Sequence, residues 1–255
     1  SVPKITKNDT ILLTGSSTGI GFQLAEQLSR RCGHLILVAR SAGILDAQQT
    51  NLTSAECTVS VFPCDVSDQS AVRSLFATLH AQGIHPTIAI LNAAVGSREP
   101  LITNPSDSVA SVFAVNVMGV MHILDEILPS MLQKGAGTIV GVSSLADGKG
   151  FPKSGAYCAS KAALSLLLET LRLELAPHGI TVLTVKPGFV RTPMTDKNEF
   201  SMPMLMEPDK AAAIIIRGIE KNRKVIAFPL PTQFGAGLLK MMPVWLFDRV
   251  AGKYR

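Results

Sequence analysis

The chain has 255 residues, of which 47% are apolar and 17% are charged, and it contains no low-complexity tract. This composition excludes a disordered chain and is typical of a globular protein with a substantial core. The net charge is +5, but the lysines and arginines are scattered and are not clustered with aromatic residues, so we expect no nucleic-acid binding.

The cysteines and the first residues indicate the compartment. The segment before residue 10 is short and polar, so we expect no secretory signal peptide and a cytoplasmic protein. The four cysteines form no Cys-x-x-Cys pair and have no histidines at zinc-ligand spacing, which favours reduced, buried thiols and predicts no metal site.

Short apolar runs alternate with helical patterns along the chain. The expected strands are "TILL" at 10–13, "HLILVAR" at 34–40, "CTVSVFPCDV" at 57–66, "TIAILNAA" at 87–94, "GTIVGVSS" at 137–144, "GITVLTVKPG" at 179–188 and "KVIAFP" at 224–229. Between them we expect helices, including one that begins at Ser67 or Asp68 and a long one from about Ser106 to Leu132. The alternation predicts an α/β fold: one doubly wound, Rossmann-type domain over 1–255, with a parallel sheet of about seven strands and helices on both faces. Ligands bind such sheets beyond the carboxyl ends of the strands.

The first loop, "TGSSTGIG" at 14–21, follows a strand and opens a helix, as a dinucleotide-binding loop does. Gly15 permits a sharp turn, Gly19 lets the backbone approach a pyrophosphate, and Gly21 lets helix and strand pack closely. The three residues between its first two glycines differ from the fingerprint of two-domain dehydrogenases. We assign cofactor binding in this loop to Gly15, Ser17, Gly19, Ile20 and Gly21.

The end of the second strand predicts which dinucleotide binds. A carboxylate there would hold the ribose hydroxyls, but the sequence has Arg40 and Ser41. Because a guanidinium matches a phosphate group, we expect a 2′-phosphate and therefore NADP(H) in preference to NAD(H). The alternative is that Arg40 is only a solvated residue at a strand end.

Tyr157 and Lys161 lie one helical turn apart in "SGAYCASKAALS". A phenol has a pKa of about 10, and a nearby ammonium is expected to lower it, making Tyr157 a usable general acid or base for a carbonyl and its alcohol. The alternative is a surface pair in which the tyrosine leans on the lysine stem.

Two further polar residues accompany this pair. Ser144 ends the fifth strand, thirteen residues before Tyr157, and could donate a hydrogen bond to a carbonyl oxygen; Ser143, on the opposite face, is less favoured. Asn116 lies in an apolar helical pattern, where a buried amide needs partners and has a structural or catalytic task.

These motifs resemble the classical short-chain dehydrogenase/reductase family from Thr10 to about Thr192. The resemblance implies that Tyr157 transfers the proton, Ser144 orients the substrate carbonyl, Lys161 also binds the nicotinamide ribose, and Asn116 holds a water in the proton relay. It further implies a homodimer or homotetramer built on the helices at about 106–132 and 154–176. The implied cofactor contacts also include Asp65 and Val66 at the adenine, Asn92 and Ala93 at the central sheet, and Pro187, Gly188, Val190 and Thr192 towards the carboxamide.

Two segments bear on the substrate and on partners. The stretch 189–208 has the position of a substrate lid, and its methionines, Met194, Met202, Met204 and Met206, suit either an apolar ligand or simple packing of the lid. The apolar extension at about 229–255 predicts a helix from about Gln233 to Met242 and a second after Pro243. We favour packing of this extension on another subunit or on the core. The alternative is contact with a membrane surface, in which Trp245 and Phe247 would point inward and the headgroups would be contacted by Lys240, Arg249, Lys253 and Arg255.

Two functional classes follow. The first is an NADP(H)-dependent oxidoreductase that interconverts a small carbonyl compound, of the apolar kind that the lid methionines would suit, and its alcohol. The second is a regulatory protein that binds and senses NADP(H) without turnover. The set Asn116, Ser144, Tyr157 and Lys161 favours catalysis, since a sensor would not need all four.

Overall fold

The structure, a computed structural model, describes residues 4–96, 99–196, 202 and 204–251. Its strands form one parallel sheet in the order β3-β2-β1-β4-β5-β6-β7, which confirms the predicted Rossmann-type α/β fold. The strands are β1 (Thr10–Thr14), β2 (His34–Ala39), β3 (Thr58–Pro63), β4 (Ile88–Leu91), β5 (Gly137–Val142), β6 (Ile180–Pro187) and β7 (Val225–Phe228).

Helices connect the strands and cover both faces of the sheet. Asp68, and not Ser67, caps α3: its carboxylate accepts hydrogen bonds from the backbone N–H groups of Ser70 and Ala71. The helices are α1 (Gly19–Leu28), α2 (Ala42–Leu52), α3 (Gln69–Ala81), α4 (Pro105–Phe113), α5 (Gly119–Lys134), α6 (Gly155–Leu175), α7 (Pro208–Glu220), α8 (Leu230–Met241) and α9 (Val244–Ala251).

The long helix expected from about 106 to 132 is interrupted by a turn of π-helix, Ala114–Met118, between α4 and α5. Such turns often occur at functional sites. The whole run Pro105–Lys134 has the length and apolar content of a membrane-spanning helix, but half of its most apolar window is buried inside the fold. Packing inside the fold therefore accounts for about half of that apolar window.

Two helices differ from the sequence expectation. Helix α7 had not been predicted, although its buried residues, such as Ala211, Ile215 and Ile219, recur at helical spacing and pack in the core. Helix α8 begins at Leu230, not at about Gln233, because Pro231 lies in its first turn, where a missing N–H is tolerated.

The core lies on both faces of the sheet because adjacent residues of a strand point to opposite sides. Ile11 and Leu13 of β1 belong to the cluster on one face, and Leu12 belongs to the cluster on the other. The order of the strands reverses between β1 and β4, and ligands of doubly wound sheets bind outside the carboxyl ends at such a point. This position directs attention to the loops after Thr14 and Leu91.

Candidate active site

A cleft opens at the carboxyl edge of the sheet, around the point where the strand order reverses. Two residues predicted for the site do not line it: Ser41 is exposed at the start of α2, and Asn116 is fully buried behind the cleft wall. The predicted residues that do line it are Gly15, Ser17, Gly19, Ile20, Gly21, Arg40, Asp65, Val66, Asn92, Ala93, Ser144, Tyr157, Lys161, Pro187, Gly188, Val190 and Thr192.

The glycine loop has the backbone geometry that its sequence indicates. Gly15 and Gly19 have φ values of +67° and +56°, a region that glycine adopts without strain. A Cβ on Gly21 would lie 2.0 Å from the carbonyl oxygen of Gly15, so the turn closes only without a side chain. Thr18 forms no side-chain cap on α1, and the first turn of α1 has no acidic residue. The amino end of α1 is therefore suited to an anionic group.

Asn92 and Thr14 join the glycine loop to the end of β4. The Thr14 hydroxyl accepts hydrogen bonds from the backbone N–H groups of Asn92 and Ala93 at 3.0 and 3.1 Å. The side-chain amide of Asn92 donates to the carbonyl oxygens of Thr14 and Gly15 at 3.2 and 3.0 Å. These bonds fix the relative position of two loops that line the cleft.

Arg40 and Asp65 lie at the ends of β2 and β3, on one side of the cleft. The hydroxyl and backbone N–H of Ser67 both donate to the Asp65 carboxylate, at 2.7 and 2.9 Å. These bonds, with a smaller contribution from the charge of Arg40, hold the pKa of Asp65 below its ordinary value. Arg40 itself is exposed and forms no ion pair within the described residues, so its guanidinium is available to an anion.

Ser144, Tyr157 and Lys161 meet at the opposite side of the same cleft. The Ser144 hydroxyl lies close enough to Tyr157 to affect its pKa, and the Ser144 Oγ accepts a hydrogen bond from the backbone N–H of Ala146 at 3.1 Å. The Lys161 ammonium donates to the carbonyl oxygen of Val142 at 2.8 Å and lies 5.8 Å from the centre of the Tyr157 ring. A strand end and one turn of α6 thus bring a hydroxyl pair and a buried cation together.

The pKa of Tyr157 differs from the sequence expectation. Burial raises the Tyr157 pKa above its ordinary value, and the nearby Ser144 hydroxyl opposes that rise only in part. Burial also lowers the pKa of Lys161 to about 8. Both shifts arise because a low-dielectric site disfavours the charged form of each group, an effect that the spacing of the two residues does not reveal.

Ser143 supports the site from behind. Its hydroxyl donates to the carbonyl oxygen of Lys161 at 2.9 Å and lies 2.7 Å from the Ser165 hydroxyl. Ser165 in turn donates to the Asp147 carboxylate at 2.6 Å, and Asp147 forms an ion pair with Lys186. This chain of contacts ties α6 to the end of β5. Both serines border the cleft, but the Ser143 hydroxyl is bonded to α6.

Asn116 contacts the loop after β4 and the helix that carries Tyr157. Its amide binds the backbone of Val95 and donates to the Ser160 hydroxyl at 3.0 Å. Ser160 donates to the carbonyl oxygen of Tyr157 at 2.7 Å. Both N–H groups of this side chain are used in these contacts, which give it a structural task, and the water that it was predicted to hold stays a prediction.

The two ends of the predicted lid are held together. The backbone N–H of Arg191 donates to the carbonyl oxygen of Met206, and the N–H of Met206 donates to that of Phe189, both at 2.9 Å. Arg191 also forms an ion pair with Glu207 at 2.9 Å. Of the methionines, Met194 lines the cleft, whereas Met206 packs against the core. Residues 197–201 and 203 of the lid lie outside the described residues.

The cleft includes residues that the sequence argument had not selected. They lie beside the motif residues at strand ends and in the π-helical turn. Most of them are sequence neighbours of a motif residue, and that adjacency is the signal that could have identified them. They are Thr18, Val38, Ala39, Cys64, Ala94, Val95, Val115, Val142, Ser143, Pro193 and Thr195.

Comparison with known proteins identifies the family. The family model described as short chain dehydrogenase matches residues 9–202. An uncharacterized oxidoreductase of Myxococcus xanthus is 34% identical over 246 residues, covering 96% of this chain and 97% of its own. A fatty acyl-CoA reductase of Acinetobacter baylyi is 29% identical, covering 87% of this chain and 76% of its own.

Solved structures agree with this result. A short-chain dehydrogenase from Sphingobium yanoikuyae in complex with NADPH matches with a TM-score of 0.80 at 26% identity, over 93% of this chain and 97% of its own. A short-chain dehydrogenase/reductase from Burkholderia phymatum in complex with NAD matches with a TM-score of 0.82 at 26% identity, over 92% of this chain and 94% of its own. The fold and cleft define an oxidoreductase of the Rossmann type. The chain belongs to the short-chain dehydrogenase/reductase family, as its motifs had indicated.

Proposed function

We propose that the chain is an NADP(H)-dependent oxidoreductase that interconverts a carbonyl compound and its primary or secondary alcohol by hydride transfer. The observation that carries this proposal is the convergence of Ser144, Tyr157 and Lys161 on the cleft that the glycine loop also lines. A protein that only bound a dinucleotide would need the loop but not a hydroxyl pair beside a buried lysine.

The described residues fit a nicotinamide dinucleotide. The loop with Gly15 and Gly19 and the uncapped amino end of α1 would hold the pyrophosphate. Arg40, exposed at the end of β2, would bind the 2′-phosphate through its planar guanidinium. Since one similar structure is a complex with NADPH and another with NAD, the preference for NADP(H) rests on Arg40.

The bound cofactor supplies or accepts the hydride at the carbonyl carbon. In reduction, the Ser144 hydroxyl would donate a hydrogen bond to the carbonyl oxygen as negative charge develops there. Tyr157 would transfer its proton to that oxygen and, in the reverse direction, would accept it from the alcohol. With a pKa of about 8, Lys161 stays largely protonated at neutral pH and would stabilise the tyrosinate left after proton transfer.

An apolar carbonyl compound is the substrate class that fits this cleft best. Met194 lines the cleft at the base of the lid, in van der Waals range of a Cβ placed on Gly96. A flexible thioether there can adapt to an irregular apolar chain. The name of the relative from Acinetobacter baylyi, a fatty acyl-CoA reductase, is consistent with a substrate of this kind.

We also propose that the chain forms a homodimer or homotetramer. Leu166 and Leu173 of α6 are about two-thirds exposed, and large apolar side chains left in water at helical spacing favour an interface. Analytical ultracentrifugation of the wild type and of the double variant Leu166→Ser, Leu173→Ser tests this: a monomeric wild type would contradict it.

The function itself is tested by oxidation of NADPH against a panel of ketones, aldehydes, quinones and acyl-chain carbonyls. We expect turnover with an apolar member and its loss, by roughly a hundredfold or more, in Tyr157→Phe. Tyr254→Phe, at the chain's other tyrosine, is the matched control. Full activity in Tyr157→Phe would exclude the mechanism, whereas tight NADPH binding without any turnover would favour the sensor.

A further inference from the structure

Helices α8 and α9 present a continuous row of large apolar side chains to the outside. We define the outer stripe as Leu230, Phe234, Leu238, Met241, Val244 and Trp245. All six are between 64 and 78% exposed within the described structure. The spacing of the first four places them on one face of α8, opposite the half-buried Thr232, Ala236 and Leu239. The stripe therefore points away from the body of the protein.

The inner side of these helices is anchored, so the stripe is displayed by a fixed element. Phe247 packs edge to face on Phe151, with the ring centres 5.8 Å apart. The Lys149 ammonium lies 4.9 Å from the centre of the Phe247 ring and donates to the carbonyl oxygen of Met242 at 3.3 Å. Phe247, which the less favoured membrane alternative placed beside Trp245, thus belongs to the inner side, and Trp245 remains outside.

The charges on α8 and α9 are mainly positive. Lys240 and Arg249 are exposed on these helices, together with one exposed carboxylate, Asp248. Lys240 is exposed on α8 beside the stripe and forms no ion pair within the described part of the chain. An apolar face flanked by exposed cations complements an anionic lipid surface, and an exposed tryptophan is typical of the boundary between headgroups and acyl chains.

A second copy of the chain fits the stripe less well. A two-fold interface would place the stripe against itself, because such an interface uses the same patch on both subunits. Each copy would then bring Lys240 and Arg249 but only one carboxylate, Asp248, to the interface, so two surfaces of net positive charge would meet. The charges therefore favour lipid over self-association at this surface.

We propose that the outer stripe docks the protein on an anionic lipid surface. Helix α8 borders the cleft: a Cβ on Gly188, which lines it, would lie 3.2 Å from side-chain atoms of both Pro229 and Thr232. Docking would therefore bring the cleft close to the bilayer, so that an apolar substrate could enter from the lipid. This last consequence rests on the proposed function, whereas docking itself does not. Lys253 and Arg255, which the less favoured membrane alternative placed at the headgroups, lie outside the described residues.

Flotation of the full chain with vesicles tests the docking and requires no turnover, so its failure and a failure of the proposed function are distinguishable. We expect the protein to float with equimolar phosphatidylcholine and phosphatidylglycerol, and to bind phosphatidylcholine alone on the order of tenfold less. Raising the salt concentration should weaken binding to the anionic vesicles, since Lys240 and its neighbours act through screened charges.

Two variants and their matched controls locate the contact. The pair Phe234→Ser with Trp245→Ser should reduce binding on the order of tenfold or more, because both apolar anchors are lost. The pair Ile44→Ser with Ile102→Ser, at exposed isoleucines outside the stripe, should not. Lys240→Glu should weaken binding to anionic vesicles, and Lys210→Glu on α7 should not. Thermal unfolding of each variant checks that it is folded.

Two results would overturn the proposal. The first is a wild-type protein that stays in the soluble fraction with every vesicle at low salt. The second combines two observations: the wild type binds no vesicle, and the Phe234→Ser, Trp245→Ser variant forms a smaller oligomer than the wild type. This result would assign the stripe to a second copy of the chain.

Discussion

The side-chain amide of Asn116 forms two hydrogen bonds with the backbone of one residue, Val95. Its Oδ1 accepts from the Val95 N–H at 2.8 Å, and its Nδ2 donates to the Val95 carbonyl oxygen at 2.9 Å. Asn116 is fully buried in the π-helical turn, and Val95 lines the cleft. One side chain thus fixes the loop after β4.

Asn116→Ala should lower the free energy of unfolding by about 2 kcal/mol and weaken dinucleotide binding, because a backbone N–H and a carbonyl group lose their partner. Chemical denaturation and titration with NADPH measure both effects. Asn51→Ala, at an exposed asparagine of α2, is the matched control. Equal denaturation midpoints for the two variants would show that Asn116 does not hold the loop.

Arg40→Asp should reverse or abolish the preference for NADPH over NADH. Loss of a charge-assisted bond to the 2′-phosphate costs about 1.5 to 3 kcal/mol, which corresponds to about one to two powers of ten in the NADPH dissociation constant. The introduced carboxylate would accept hydrogen bonds from the ribose hydroxyls of NADH. Fluorescence titration with each cofactor measures the change.

The control for Arg40→Asp is Arg30→Asp. Arg30 is exposed two residues after the end of α1, away from the glycine loop at its beginning, so the same change of charge there should leave both dissociation constants unchanged. Equal affinity of the wild type for NADPH and NADH would refute the assignment of the 2′-phosphate to Arg40.

Gly19→Ala should weaken NADPH binding on the order of tenfold and lower the free energy of unfolding by about 1 kcal/mol. Gly19 has a φ of +56°, and an added Cβ would lie 2.6 Å from the Thr192 Cγ2. Gly43→Ala, inside α2 where a Cβ meets nothing within 4 Å, should instead stabilise the fold by about 0.5 to 1 kcal/mol. Unchanged NADPH binding in Gly19→Ala would mean that the loop tolerates a side chain.

The sequence predicted the strands and the glycine loop because both depend on local chemistry. Buried parallel strands need continuous apolar runs, and the turn after β1 needs glycine at positive φ. The convergence of Ser144 and Tyr157 could also be predicted, since Ser144 follows the carboxyl end of β5 and Tyr157 lies on α6, the next α-helix.

Other features depend on contacts that are distant in sequence and that residue spacing does not encode. The π-helical turn leaves the apolar pattern of its helix intact, so only the backbone reveals it. The bond between Lys161 and the carbonyl oxygen of Val142 and the link between Asn116 and Val95 join different elements. For the same reason, residue spacing did not predict that burial raises the pKa of Tyr157, whereas its neighbour Lys161 had been expected to lower it.

Lys161→Met should stabilise the folded protein, and this stabilisation should decrease as the pH rises. Burial lowers the pKa of Lys161 from 10.5 to about 8. Between these values the unfolded chain binds a proton that the folded chain lacks, so the wild-type free energy of unfolding rises with pH across that window. Below that window the cost of burying the ammonium is fully present in the wild type. Lys161→Met should therefore gain on the order of 3 kcal/mol, reduced by the loss of the hydrogen bond to Val142.

Denaturation midpoints near neutral pH and near the upper end of the window measure this difference. Lys210→Met, at an exposed lysine, should show no pH-dependent stabilisation. A difference between Lys161→Met and the wild type that is equal at both pH values would show that the ammonium is not destabilised by burial.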